Sequence, residues 1–178
     1  MLSQQTTGLM IVDVQGTLSD QIDGASALFE RLKVLIQVAS LMELPIIWME
    51  QVPDKLGHTR PEIAELLPGD AFVKTTFSGM KEPAIAQAVK SLKMTQWLVA
   101  GLETHVCVYQ TVCDLLKQKY EVHLVTDCVG SRVADNKALA VAKMDRLGAQ
   151  LTSLEMAVFE LQQKAEGDVF RQMIRLIK

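Results

Sequence analysis

The feature that most restricts this chain is an alternation: short apolar runs, each followed by a segment with helical spacing of apolar residues. The runs cover residues 8–14 (GLMIVDV), 45–50 (PIIWME), 71–74 (AFVK), 96–102 (QWLVAGL), 121–127 (EVHLVTD) and 150–154 (QLTSL). Most are apolar at successive positions, the pattern of strands covered on both faces. The helical segments are 25–43, 82–93, 105–119 and 135–147. In the first, Leu28, Leu32, Leu35, Ile36, Ala39 and Met42 share one face. Gly148 stands just past the last, where helices commonly end. Strands alternating with helices predict a three-layer α/β/α, Rossmann-like fold with a mainly parallel six-stranded sheet and right-handed crossovers.

At 178 residues, without repeats or linker-like stretches, the chain is expected to form one domain over residues 1–178. Residues 51–70 hold Pro53, Gly57, Pro61, Pro68 and Gly69 and read as the one long irregular connection, of the kind that covers active sites. Residues 154–178 read as one or two helices with an apolar face for another subunit. A formal charge of −3 and the lack of a basic cluster argue against nucleic acid or an anionic membrane as partner. No apolar run reaches the roughly 18–20 residues that span a bilayer, and residues 1–7 lack the basic start of a signal peptide. Three cysteines without CxxC spacing suit free thiols, so a cytoplasmic location is expected.

In parallel α/β sheets, ligands bind at the carboxyl ends of the strands. That rule gathers Asp13, Glu50, Lys74, the segment 103–107 and Asp127–Cys128 at one edge. Cys107 lies three residues after Thr104, a good N-cap, which sets its sulfur in the first turn of the next helix. There the free N–H groups and the helix dipole favour a thiolate; a small buried hydrophobe is the other reading. Asp13 breaks an apolar strand and needs a partner or a turn to brace, at Gly16–Thr17. Lys74 offers the opposite charge, or is an exposed strand-end lysine. Cys113 and Cys128 suit packing, as does His123. His105, two residues from Cys107, faces elsewhere. Asp54 and His58 are too few for a zinc site, so neither a metal nor another cofactor is expected.

Three segments carry a family resemblance. IVDVQ (11–15), Lys74 within VKTTFSGM (73–80) and GLETHVCV (101–108) resemble, in order, the motifs of the isochorismatase-like cysteine hydrolase superfamily. LGHTRPE (56–62) is similar to its uncharacterised isochorismatase-domain hydrolases. The resemblance implies that Cys107 is the nucleophile, Asp13 its base and Lys74 the residue that orients them. It also implies a cis peptide at Leu102–Glu103, backbone N–H groups of Glu103 and Cys107 as oxyanion donors, a homo-oligomer, and a small-molecule substrate. Where the family's metal-binding nicotinamidases carry Asp-x-His-x-His, this chain has EQVPDKLGH (50–58). The presence of Cys107 points to cleavage of an amide or related C–N bond through a thioester. By location, Leu18, Gln51, His58, Phe77 and Tyr109 are the expected substrate contacts.

Two other readings stay open: a non-catalytic ligand binder or assembly subunit on the same fold, and a haloacid-dehalogenase-like phosphohydrolase suggested by DVQGTLSD (13–20). The second needs a carboxylic acid where Gln15 stands, and an amide cannot donate that proton. The expected outcome with a generic phosphate ester and Mg²⁺ is no phosphate release above a protein-free blank.

Overall fold

The computed structural model describes all residues, Met1–Lys178. Six strands form one sheet: β1 Thr7–Val12, β2 Ile46–Gln51, β3 Phe72–Lys74, β4 Gln96–Leu102, β5 Glu121–Gly130 and β6 Gln150–Thr152. Their order is β3-β2-β1-β4-β5-β6, and every pairing is parallel. The chain therefore winds outward from β1 in one direction and from β4 in the other. The switch between them opens a crevice at the carboxyl ends of β1 and β4.

The eight helices are α1 Ala25–Leu41, α2 Pro53–Leu56, α3 Pro61–Ala64, α4 Pro83–Ser91, α5 Tyr109–Lys117, α6 Ala134–Arg146, α7 Leu154–Gln162 and α8 Gly167–Ile177. The strand periodicity of two divides the apolar residues between two cores. Leu9 and Ile11 point to the face covered by α1, α7 and α8, where Leu32, Val158 and Met173 are buried. Met10 and Val12 point to the other, against Ile85 of α4, Val112 of α5 and Met144 of α6. No helix is long and apolar enough to cross a membrane.

Four details depart from the expectations. First, β5 continues three residues past Asp127. Thr126 and Asp127 look like an end because they are polar, but Thr126 donates to the Thr152 carbonyl and Asp127 accepts from the Leu154 N–H. The strand bulges there against β4 and resumes through Cys128–Gly130. Second, Thr104 is no N-cap. Residues Thr104–Val108 form a π-helical turn ahead of α5, Glu103 holds the capping position, and the buried Thr104 hydroxyl has no partner. Third, the tail helix α8 packs on α1 and α7 of its own chain, with Met173 enclosed. Fourth, no peptide bond is cis; the one implied at Leu102–Glu103 is trans, the form that amides favour. The connection 51–70 is also more ordered than its composition suggests, since it carries α2 and α3.

Gly101 allows β1 and β4 to close at the crevice. Its φ is +120°, and a Cβ there would sit 2.1 Å from the Val12 carbonyl oxygen. Strain and overlap together predict that Gly101→Ala destabilises the fold by roughly 2–4 kcal/mol, read as a lower urea midpoint.

Candidate active site

The charged pair at the crevice is delivered by the ends of two strands. Asp13 is the first residue beyond β1; its N–H donates to the Met49 carbonyl at 3.1 Å, and its φ is +49°. Asp is among the few non-glycine residues that adopt this left-handed region readily. Lys74 ends β3, two strands away, and reaches across β2. Its ammonium donates to Asp13 Oδ2 at 2.7 Å and to Gln51 Oε1 at 2.6 Å. The carbonyls of Thr76 and Phe77 lie at 3.3 and 3.5 Å. With 0% of its side chain exposed, Lys74 is enclosed completely.

Asp13 Oδ1, the other carboxylate oxygen, is buried with no hydrogen-bond partner. Asp13 and Cys107 line one cavity of about 240 Å³. Cys107 sits in the π-helical turn, a local widening of the helix often found at functional sites. Burial, with a push from Glu50, raises the Asp13 carboxyl above its ordinary range despite the opposing pull of Lys74. Burial and the Asp13 charge push the Cys107 thiol up to about 12, against the pull of Lys74. This corrects the expectation of a helix-stabilised thiolate. Removing the sulfur from water, next to a carboxylate, outweighs the helix end and the lysine. At rest the sulfur keeps its proton.

Leu18, Gln51 and Phe77 line the same cavity. His58 and Tyr109 do not, and two expected contacts are corrected. Gly57, at φ +82°, turns the chain so that Leu56 faces the cavity while His58 points outward, its Nδ1 3.0 Å from Glu50 Oε2. Tyr109, two helical positions past Cys107, faces away from it and stacks beneath the Lys143 ammonium at 4.8 Å. Cys113 lies beside Tyr109 in a shallow surface groove, and Cys128 is buried on the opposite face of the sheet. Neither reaches the cavity. His123 is buried against Glu121, Nε2 to Oε1 at 2.8 Å, and His105 meets the Ser131 hydroxyl at 3.0 Å.

Five cavity contributions went unassigned in the sequence: the side chains of Gln15, Leu56, Glu103, Val106 and Arg132. Arg132 follows the bulged end of β5 and holds Glu103 through Nε at 2.8 Å and Nη2 at 3.3 Å. Burial alone would raise the Glu103 carboxyl, but hydrogen bonds and charge from Arg132 hold it below the usual range. The Gln15 amide donates to the Gln51 and Gly57 carbonyls at 2.9 and 2.7 Å and accepts the Gln51 N–H at 2.6 Å. Its position in IVDVQ was the available signal. No group of three or more His, Cys, Asp and Glu side chains is arranged to hold a metal ion.

The profile of the Isochorismatase domain matches residues 7–156. The chain belongs to the isochorismatase family. It is 30% identical to isochorismatase family protein 1A of Dictyostelium discoideum, over 98% of this chain and 87% of that protein. It is 32% identical to the secreted isochorismatase effector Isc1 of Phytophthora sojae, over 96% and 83% of the two chains. Among solved structures, the MAR1 ribonuclease of Caenorhabditis elegans superposes with a TM-score of 0.92 at 32% identity, over 99% of this chain and 91% of that one. The family's three-layer fold and hydrolase character thus extend to this chain, with the crevice described above as its candidate centre.

In this family member the Lys74–Asp13 pair is also a stability element. Lys74→Met strands a buried carboxylate and is expected to cost about 3–5 kcal/mol at neutral pH. Because the folded Asp13 titrates above its unfolded value, the folded state takes up a proton more readily. The loss is therefore full above the raised folded value, where the carboxylate is charged, and shrinks as pH falls through that value towards the ordinary carboxylate range. Urea unfolding across pH checks both sign and size.

Proposed function

We propose that this protein is a cysteine-dependent hydrolase of a small molecule, a single domain that cleaves an amide or related C–N bond through a thioester. The observation that carries the reading is the division of labour on Asp13. Lys74 occupies Oδ2, while the buried Oδ1 has no partner and shares a cavity with the Cys107 thiol.

Asp13 takes the Sγ proton as sulfur attacks the carbonyl carbon, which forms the C–S bond and moves an electron pair onto oxygen. A base whose own proton affinity has been raised suits a thiol held protonated. The backbone N–H groups of Glu103 and Cys107 are the proposed oxyanion donors. When the tetrahedral adduct collapses, the C–N bond breaks and the leaving nitrogen receives the proton from Asp13. Water then attacks the thioester, Asp13 accepts a proton from it, and the sulfur leaves and is reprotonated. The sum is amide plus water giving acid plus amine. Throughout, the Lys74 ammonium limits the charge change at Asp13.

The cavity of about 240 Å³ is smaller than the roughly 300–1,000 Å³ that drug-sized ligands occupy, which supports a compact substrate. Leu18, Gln51 and Phe77 are its proposed contacts. The name of the nematode structure raises ribonuclease chemistry, which wants accessible cations along a phosphate track. Here Lys74 is enclosed and Arg132 is engaged with Glu103, so small-molecule hydrolysis is favoured. The reading includes a cytoplasmic protein that self-associates; Leu139, Leu147, Leu151 and Met156 expose large apolar side chains for that purpose.

A screen of small amides, ureides and carbamoyl compounds, read by ammonia release, tests the proposal. Cys107→Ala is expected to lose release by at least about 10³-fold while unfolding normally. Full turnover in that variant counts against Cys107 as the nucleophile, and a wild-type protein inert across the whole screen counts against hydrolysis and for a binding role.

A further inference from the structure

Glu50 is a buried carboxylate that the mechanism above does not use. It lies near the end of β2, one register step beyond the Val12–Met49 pair, so the parallel ladder sets it beside Asp13. Its side chain is 5% exposed and does not line the cavity. Both of its oxygens are committed to the loop that covers the crevice. Oε1 accepts the Thr59 N–H at 2.6 Å, and Oε2 meets His58 Nδ1 at 3.0 Å.

The same loop is fastened to the β1 end by backbone bonds: Gly16 N–H to the His58 carbonyl at 3.0 Å, and Arg60 N–H to the Val14 carbonyl at 3.0 Å. Its conformation is specific. Val52 has φ +39°, and a Cβ on Gly16 would lie 1.7 Å from the Leu56 carbonyl oxygen. The loop thus has several attachments that carry no charge. A buried carboxylate is an expensive way to add another, because an ion removed from water needs full compensation. Its charge, close to Asp13, is the property that the uncharged tethers do not supply.

We propose that Glu50 is a positioning residue for the hydrolysis, a buried anion that acts through Asp13 to keep its free oxygen ready for the thiol proton. The inference rests on the assignment of Asp13 as the base for Cys107. Glu50 stays anionic: burial would raise its carboxyl, but the bonds from Thr59 and His58 hold it below the ordinary range. Its repulsion acts with burial to raise Asp13.

The charges around the pair are accounted for on every side. Lys74 approaches from β3 and Cys107 from the π-helical turn. His58 comes from the loop, while the neighbouring Arg60 is turned to Asp20 and Glu62. The exposed His58 ring contacts Glu50 from the outer side of the cavity wall.

The test is independent of the unknown substrate. Alkylation of Cys107 by iodoacetamide, followed by mass spectrometry of its own peptide, is measured as a function of pH in the intact protein. Proton removal by Asp13 gives the rate an inflection on the acid side, which Asp13→Asn abolishes. Glu50→Gln keeps the size and the Thr59 and His58 contacts but removes the charge. It is expected to move the inflection to lower pH by roughly one unit and to lower the plateau several-fold. His58→Ala loosens the loop and leaves the Glu50 charge, so it does not move the inflection downward. A structural tether alone would change the plateau in both variants without moving the inflection. An unmoved inflection in Glu50→Gln, or an equal downward shift in His58→Ala, overturns the role of Glu50 and leaves the hydrolase reading to the ammonia assay. A wild-type profile with no Asp13-dependent inflection overturns both.

Discussion

The site is organised around one enclosed ion pair, Lys74 with Asp13. The two residues sit on strands separated by β2, so the lysine must cross that strand to reach its partner. Gln51, at the end of β2, supplies the stepping point through its Oε1. Two ions out of water are costly, and only short, well-aimed hydrogen bonds offset that cost. The Lys74 ammonium meets the condition with four acceptors around it. The pair thereby fixes the relative positions of three strand ends. It also leaves the second Asp13 oxygen untouched by the lysine, in the cavity that holds the Cys107 thiol.

The rest of the chemistry follows from that leftover oxygen. A thiol and a carboxyl in the same low-dielectric space both resist ionisation; the Asp13 charge holds the proton on Cys107, while the thiol steadies the Asp13 carboxylate. Such a pair is poised to exchange one proton between its members. Under the proposed mechanism a stable thiolate is unnecessary, because the sulfur would shed its proton only as it attacks. The π-helical turn contributes by setting the buried Cys107 into the cavity lining while Val108, its neighbour, stays in the core away from it.

The wall opposite the thiol is built from a loop rather than a strand, yet it is closely held. Gln15 stitches β1 to β2 and to Gly57, while Glu50 ties the loop from behind. The loop is therefore held mostly by contacts to its backbone, which tolerate varied side chains along it.

The alternation of apolar runs and helical segments was sufficient to determine the layers, the strand count and the edge where the chemistry gathers. Burial on both faces leaves a local and periodic trace in the residues. The gathering of Asp13, Lys74 and Cys107 at one crevice was legible for the same reason, since the first two stand at strand ends and the third in the turn that follows β4. What the sequence could not determine was orientation. The turn at Gly57 sends His58 outward, the π-helical turn carries Tyr109 away, and the bulge in β5 delivers Arg132 to Glu103. The state of the sulfur was equally hidden, because proton affinity depends on burial and neighbouring charge. Such properties arise only when segments far apart in the chain exclude water together, and no local pattern of residues encodes that exclusion.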